Sequence, residues 1–376
     1  MCAGVQKLGM PKWGLSMTEG RVVAWLVDEG AEIAVGDEVA EVETEKINGA
    51  VEAPVAGVLR RRVAAEDDVV PVGGLLGVVA DADVPDAEID AFIAEFQASF
   101  VPGESEEDAG PQPETVTVDG RNLRFLRQGE GDAEPLVFLH GFGGDLNNWL
   151  FNAGPLSSDR TVYALDLPGH GASAKQVGDG DLAVLVDATR GFLDSQGIGR
   201  AHLAGHSMGA LVAAELALED PDRVLSLSLV APAGLGEEID RDYVEGFVAA
   251  TGRRDLKPVL QRLFADPALV NRQMVDDVLR YKRLDGVQDA LGAIAARLFP
   301  DGRQARVLAG DLEDASVPVL VIWGEADAII PAAHSGAAPA RAETHVLPGV
   351  GHSPHMEAAG DVNRLLEGFV AGVRAG

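Results

Sequence analysis

Shifting the chain by 37 positions superimposes Gly20 on Gly57, Val22 on Leu59, Glu29 on Glu66, Val35 on Val72, Gly36 on Gly73 and Val42 on Val79. A repeat of this length is one supersecondary unit, and neither copy is long enough to bury a core alone. The two copies are expected to pack face to face as a small β-sandwich with quasi-twofold symmetry, Gly36 and Gly73 at equivalent turns. They differ at one end. The first copy closes with an alternating strand, Ala40 and Val42 on one face and Glu41 and Glu43 on the other, that runs into Thr44-Glu45-Lys46-Ile47. The matching strand of the second copy, around Leu76 to Val79, ends the domain without a lysine. Lys46 is thereby expected at an exposed hairpin tip. It is either a solvated lysine among acids or a carrier lysine presented in one geometry to a modifying enzyme.

Over roughly residues 4 to 80 the sequence resembles the lipoyl domains of 2-oxo acid dehydrogenase complexes. The match rests on Met10-Pro11-Lys12-Trp13-Gly14-Leu15-Ser16-Met17-Thr18-Glu19-Gly20, Val42-Glu43-Thr44-Glu45-Lys46 and Ala53-Pro54-Val55-Ala56-Gly57. The resemblance implies that Lys46 carries an amide-linked lipoyl group, attached by a lipoate ligase. Related biotin-carrying domains place methionines on both sides of the lysine, whereas Glu45 and Ile47 flank it here, so lipoate is preferred. An amide on Lys46 removes its charge and leaves a long arm whose reduced thiol holds an acyl group as a thioester.

Charge narrows the partners. With 60 acidic and 30 basic residues the formal net charge is −30, which repels nucleic acid and anionic membrane alike. Met1 to Trp13 contains no apolar run long enough for a signal peptide, and no later stretch suits a bilayer span. Cys2 is the only cysteine, so an internal disulfide is excluded and a reducing, cytoplasmic setting is expected.

Between Arg62 and Arg121 there is no Lys or Arg, and a segment this acidic is expected to stay solvated and extended. Inside it, Ile89, Phe92, Ile93, Phe96 and Phe100 fall at helical spacing, with Asp86 and Glu88 near the start where the helix dipole favours acids. An amphipathic helix over Pro85 to Phe100 follows, its stripe packed on one of the chain's own domains or docked on another subunit. Val101 to Pro113 reads as linker, spanning roughly 20 Å as a flexible coil. The domains are expected at 4–80 and 114–376, joined by an acidic connector at 81–113.

From Thr115 apolar strands alternate with helical stretches, the mark of an α/β sheet. Strands are expected at Leu136 to Leu139, Val162 to Leu165, His202 to Ala204, Leu225 to Val230, Val319 to Trp323 and Thr344 to Leu347. After the first comes His140-Gly141-Phe142-Gly143-Gly144, where glycines let backbone N–H groups approach a substrate oxygen. After the third comes Gly205-His206-Ser207-Met208-Gly209, a G-x-S-x-G elbow followed by the helical stretch Leu211 to Leu218. Asp327 then follows a strand, and His352 lies near the C-terminus, completing the order Ser, acid, His.

Residues 115–376 resemble the α/β-hydrolase superfamily, including Asp166-Leu167-Pro168-Gly169-His170-Gly171. The resemblance implies Ser207 as nucleophile, His352 as base, Asp327 as acid, and the N–H groups of Phe142 and Met208 as oxyanion hole. Asp166 is expected in a structural turn, His355 at a helix N-terminus, and His206 in packing and hydrogen bonding. No histidine spacing suits zinc, so no metal is expected. Helical stretches such as Met274 to Leu284 and Val287 to Leu298, within about 233–316, are expected to form a lid over Ser207.

A small all-β lipoyl-type sandwich followed by an α/β-hydrolase fold with a helical lid resembles the acyltransferase component of acetoin dehydrogenase complexes. That family passes an acetyl group from lipoamide to coenzyme A, beside thiamine-diphosphate-dependent acetoin dehydrogenase subunits and dihydrolipoamide dehydrogenase. The His-x-x-x-Asp-Gly motif of other lipoamide acyltransferases is absent from this chain. The residues alone leave three readings open: transfer through an acyl-Ser207, hydrolysis of acyl-lipoamide or an ester at the same serine, and a carrier with a non-catalytic hydrolase-like domain.

Overall fold

The computed structural model describes residues 5–12, 17–44, 48–102 and 111–373. The chain forms two compact units, Met1–Gln112 and Pro113–Gly376.

The first unit has two four-stranded sheets. Its strands are β1 (Val5–Gly9), β2 (Glu19–Trp25), β3 (Glu32–Ile33), β4 (Glu38–Glu43), β5 (Asn48–Glu52), β6 (Gly57–Arg62), β7 (Val69–Pro71) and β8 (Leu75–Ala80). They are ordered β1-β8-β6-β3 and β5-β4-β2-β7. The repeat is reproduced bond for bond. Val22 pairs with Val42 and Leu59 with Val79, and each pairing shifts register immediately afterwards, before Ala24 and before Arg61. Gly30 N–H donates to Leu59 O at 2.7 Å, and its equivalent Asp67 N–H donates to Val22 O at 2.8 Å. Gly36 and Gly73 both have positive φ, 89° and 78°, as equivalent turns require. Leu8, Val22, Val42, Leu59 and Val79 form the shared core between the sheets.

The acidic connector is not extended throughout. A helix runs from Asp86 to Ser99 with Pro85 as N-cap, and it packs Ile89 against Val5, Leu75, Val78 and Ala80. Phe92, Ile93 and Phe96 flank that contact, so the stripe is taken up by its own unit. Burying Ile89 contributes about 2 kcal/mol. Arg60 fixes the approach by donating to Asp81 O and Val84 O and pairing with Asp86 at 2.9 Å. A cation from β6 thus meets the acidic connector and helps the apolar contact hold it down.

The second unit is built on one eight-stranded sheet. Its strands are β9 (Glu114–Val118), β10 (Arg121–Gln128), β11 (Ala133–Leu139), β12 (Arg160–Leu165), β13 (Ala201–His206), β14 (Val224–Val230), β15 (Val319–Gly324) and β16 (Glu343–Leu347). The order is β16-β15-β14-β13-β11-β12-β10-β9, parallel from β12 to β16, with β10 and β9 added antiparallel. All six expected strands are present. The two antiparallel strands were not foreseen, because Glu114–Val118 is a polar edge and Arg121–Gln128 mixes three arginines into its apolar positions. Apolar clusters cover both faces of the sheet, as a parallel sheet requires.

β11 lies between β12 and β13, so the chain switches direction across the sheet at β11 and β13. Crevices open at such switch points beyond the strand ends, and the two loops that follow these strands carry Phe142 and Ser207. Between β14 and β15 come the helices Arg241–Ala249, Arg253–Gln261, Arg272–Lys282, Val287–Leu298 and Ala309–Asp314. Among the described residues no helix is long and apolar enough to cross a membrane.

Candidate active site

Ser207 sits between β13 and the helix Met208–Glu219 with φ 51° and ψ −116°, a left-handed conformation that costs on the order of 1–3 kcal/mol in a non-glycine residue. Its surroundings enforce the turn. Ser207 N–H donates to Val230 O at 3.0 Å, while its carbonyl accepts from Ala210 and Ala233. The flanking glycines have steric causes: a Cβ on Gly205 would lie 2.4 Å from Gly209 O, and one on Gly209 would lie 2.2 Å from Leu139 O. The spacing of the motif is thus the spacing at which strand, elbow and helix can touch.

Asp327 is held from four directions. Its Oδ1 accepts from the N–H groups of Ile329 and Ile330 at 2.8 and 3.0 Å, and its Oδ2 accepts from Trp323 Nε1–H at 2.9 Å and His352 Nδ1–H at 2.8 Å. The side chains of Asp327 and His352 are almost completely buried. Fixing the Nδ1 proton on the carboxylate leaves Nε2 of His352 as the free, basic nitrogen.

The main chain around His352 is pinned as well. His206 Nε2–H donates to His352 O at 2.8 Å, Ser353 N–H donates to Leu263 O at 3.0 Å, and Gly351 N–H donates to Glu357 Oε2 at 2.7 Å. The His206 and His352 rings lie 4.8 Å apart. Asp327 and His352 are thus joined directly, and Ser207 is linked to them through its neighbour His206.

Beside the elbow, a Cβ on Gly141 would lie 3.2 Å from Ser207 Cβ and 2.8 Å from His206 Nδ1, so the glycine brings the Phe142 loop against the serine. Neither Phe142 nor Met208 donates its backbone N–H to another backbone group among the described residues. For Met208, the first residue of its helix, no intrahelical acceptor exists. The Phe142 ring is boxed by His170, Phe247 and Phe299 at centroid distances of 6.0, 5.8 and 6.0 Å, and Tyr243 Oη–H donates to Phe142 O. Phe247, Phe299 and Tyr243 belong to the segment between β14 and β15, which therefore packs directly on this loop.

Asp166 is absorbed by structure. Its Oδ1 accepts from Leu146 N–H and its Oδ2 from Ala172 N–H, and Arg124 pairs with it at 3.3 Å. His355 lies in the short helix Pro354–Glu357, fully buried between Trp149 and His206, at ring distances of 4.5 and 4.4 Å. Burial pushes it down to about 3 and His140 to about 4, and holds His206 and His170 well below the usual histidine range. These imidazoles are neutral and serve as hydrogen-bonding and packing groups. Trp323, the Ile329 and Ile330 amides and Glu357 went unrecognised in the sequence, where Trp323 reads as one more apolar strand residue. Its place four residues before Asp327, at a strand end, is the only available signal.

Among the described residues no group of three or more histidine, cysteine, aspartate or glutamate side chains is arranged to hold a metal ion. Lys46 lies outside the described residues. The strands that bracket it are described: β4 and β5 pair antiparallel with Glu43 opposite Asn48, and Arg21 pairs with Glu43, at the end of β4 that leads to Lys46, and with Asp67.

The family model of the α/β-hydrolase fold matches residues 134–359, and a model described as biotin-requiring enzyme matches residues 6–79. The dihydrolipoyllysine-residue acetyltransferase component of the acetoin cleaving system from Cupriavidus necator is 52% identical over 96% of this chain and 96% of its own. Its counterpart from Pseudomonas putida is 52% identical over 97% of this chain and 98% of its own. A meta-cleavage product hydrolase from Pseudomonas fluorescens superimposes with a TM-score of 0.64 at 23% identity, over 69% of this chain and 98% of that one, and so shares the fold. Carrying both domains and matching these two relatives from end to end, the chain belongs to the family of dihydrolipoyllysine-residue acetyltransferase components of acetoin cleaving systems.

Proposed function

We propose that this chain transfers an acetyl group from a dihydrolipoyl arm on Lys46 to coenzyme A, through an acetyl ester on Ser207. The observation that carries this reading is the buried Asp327–His352 pair, with Nδ1 of the imidazole committed to the carboxylate, next to a serine held in a strained elbow. A carrier with an inert second domain would have no need of that strain. The lipoyl group, when bound, supplies the thioester to be attacked. The hairpin β4–β5 that brackets the lysine is braced by Arg21 and suits a rigid presentation of such an arm.

Ser207 Oγ attacks the acetyl carbonyl while His352 Nε2 removes its proton. The imidazolium that results is stabilised by Asp327, and the N–H groups of Phe142 and Met208 hold the oxyanion. His352 gives the proton to the departing thiol as the carbonyl re-forms, leaving acetyl-Ser207. In the second half His352 deprotonates the thiol of coenzyme A, whose sulfur displaces Ser207 Oγ, and the serine recovers its proton. Water competes for the same ester. The segment between β14 and β15, packed against Phe142, favours the thiol by excluding it.

As partners the reading implies acetoin-cleaving thiamine diphosphate subunits, dihydrolipoamide dehydrogenase and a lipoate ligase, in the cytoplasm. The test pairs Ser207→Ala with Lys46→Arg. Ser207→Ala should lose on the order of a million-fold in turnover yet keep the lipoyl adduct by intact mass, and Lys46→Arg should lose the adduct yet still acetylate coenzyme A from free acetyl-dihydrolipoamide. Acetyl transfer at a normal rate by Ser207→Ala would replace this mechanism with direct thiol-to-thiol exchange.

A further inference from the structure

The carboxylate of Glu357 joins two segments that are 85 residues apart in sequence at their nearest, Asp266 and Gly351. Its Oε1 accepts from Ala265 N–H at 2.9 Å and Asp266 N–H at 3.3 Å, and its Oε2 from Gly351 N–H at 2.7 Å. Ala265 and Asp266 lie between the helices Arg253–Gln261 and Arg272–Lys282, in the segment that covers the Phe142 loop. Gly351 precedes His352. The two stretches of backbone also touch without mediation, since a Cβ on Gly351 would lie 2.5 Å from Ala265 N and 2.7 Å from Phe264 C, and Ser353 N–H donates to Leu263 O. On its other side the His352 loop is pressed against the Asp327 loop: a Cβ on Gly324 would lie 2.0 Å from Gly351 O.

We infer that Glu357 is a positioning residue that latches the covering segment to the loop of His352, so that water exclusion and placement of the base are set together. The inference rests on the proposed roles of Ser207 and His352. A carboxylate is suited to this because its two oxygens accept from both segments at once, Oε2 also taking the Ala265 N–H at 3.2 Å, and hydrogen bonds from neutral N–H groups to a charged acceptor are about twice as strong as neutral ones. Without it, three backbone N–H groups lose their acceptor, and among the described residues the Ser353–Leu263 bond is the hydrogen bond left between the covering segment and the His352 loop, beside their direct packing.

The test compares Glu357→Ala, Glu357→Gln and Glu357→Asp with the unaltered chain, each assayed for acetyl-coenzyme A and free acetate together and each corrected for the folded fraction by thermal unfolding. Glu357→Ala should lower turnover per folded molecule by about tenfold or more and raise the acetate share severalfold. Glu357→Gln, which keeps one acceptor oxygen, should recover most of both. If Glu357→Ala does not fold, Glu357→Asp, too short to span both segments, should show the same rise in acetate. Normal turnover and a normal acetate share per folded molecule, in whichever of these variants folds, would overturn the latch. Ser207→Ala is run beside them: activity surviving there removes the underlying mechanism, whereas an inactive Ser207→Ala with an unaffected Glu357→Ala removes the latch alone.

Discussion

Trp323 Nε1–H donates at 2.9 Å to the same oxygen of Asp327 that receives the His352 Nδ1–H at 2.8 Å. The indole therefore shares the acceptor that orients the His352 ring, the proposed base. Trp323→Phe fills most of the same buried slot but removes the donor, at a cost of roughly 1.5–3 kcal/mol for a hydrogen bond to a charged group. We expect kcat to fall about tenfold with KM little changed, against a loss on the order of ten-thousand-fold for Asp327→Asn, which reverses the polarity of one oxygen. Steady-state kinetics on both variants check this, and a Trp323→Phe enzyme with unaltered kcat would reduce the indole to packing.

His206 is expected to matter through the carbonyl of His352. His206→Leu leaves that buried oxygen without its donor, costing about 1–3 kcal/mol. Turnover should fall ten- to a hundredfold, and His206→Gln, whose amide can still donate, should restore part of it. Equal rates in the two variants would show that the hydrogen bond is not what matters.

Gly141→Ala probes the proposed oxyanion loop. The added Cβ would press on His206 Nδ1, and that ring is not free to yield because its other nitrogen is bonded to His352 O. The Phe142 loop must move instead. A loss on the order of a hundredfold in kcat is expected, with the thermal midpoint within a few degrees of the unaltered chain. Full activity would exclude Phe142 N–H as an oxyanion donor.

What was legible in the sequence follows the range over which each signal acts. The elbow, the Asp327 turn and the sandwich repeat are local patterns, and their residues appear where their spacing places them. Interactions made between distant segments left no trace: nothing in Gly-His-Ser-Pro-His-Met-Glu says that its last residue accepts from Ala265, or that His206 reaches His352 O. The first two strands of the larger unit were missed for the opposite reason: β9 is an edge strand with no need of an apolar pattern, and three arginines interrupt the buried Leu123, Phe125 and Leu126 of β10. The helix Asp86–Ser99 was readable as an element from its stripe, but which surface took up the stripe depended on Val5, Leu75 and Val78 together.

Acid should weaken the fold before its carboxylates titrate. His140, His170, His206 and His355 are fully buried and their proton affinities are depressed, chiefly by burial, to about 4 for His140 and about 3 for His355. In the unfolded chain they take up protons near pH 6.5, so the unfolded state binds more protons and stability rises with pH. The contribution is intact above about pH 6.5 and is lost progressively as pH falls toward 4, by roughly 1 kcal/mol per pH unit for each group. Urea unfolding at pH 7.5, 6.5 and 5.5 measures this. His355, whose two ring nitrogens have no protein partner, is the simplest to remove, and His355→Phe should flatten the profile by about one proton. An unchanged slope would mean that His355 is protonated in the native state.

The carrier sandwich contains its own control. Val42 meets Gly20 as Val79 meets Gly57, each valine γ-methyl standing 2.7 or 2.8 Å from where a Cβ on the glycine would lie, so truncating either valine opens a hole at the equivalent place in each half, beside Met10 in the first and the Ala80 backbone in the second. Only Val42 stands on the strand that leads to Lys46. Once each variant is corrected for its own loss of folded protein, whatever still separates Val42→Ala from Val79→Ala in the proposed modification of Lys46 belongs to the β4–β5 hairpin and not to the stability of the domain. Holding a shape and presenting a residue can then be told apart by comparing one half of a domain with the other.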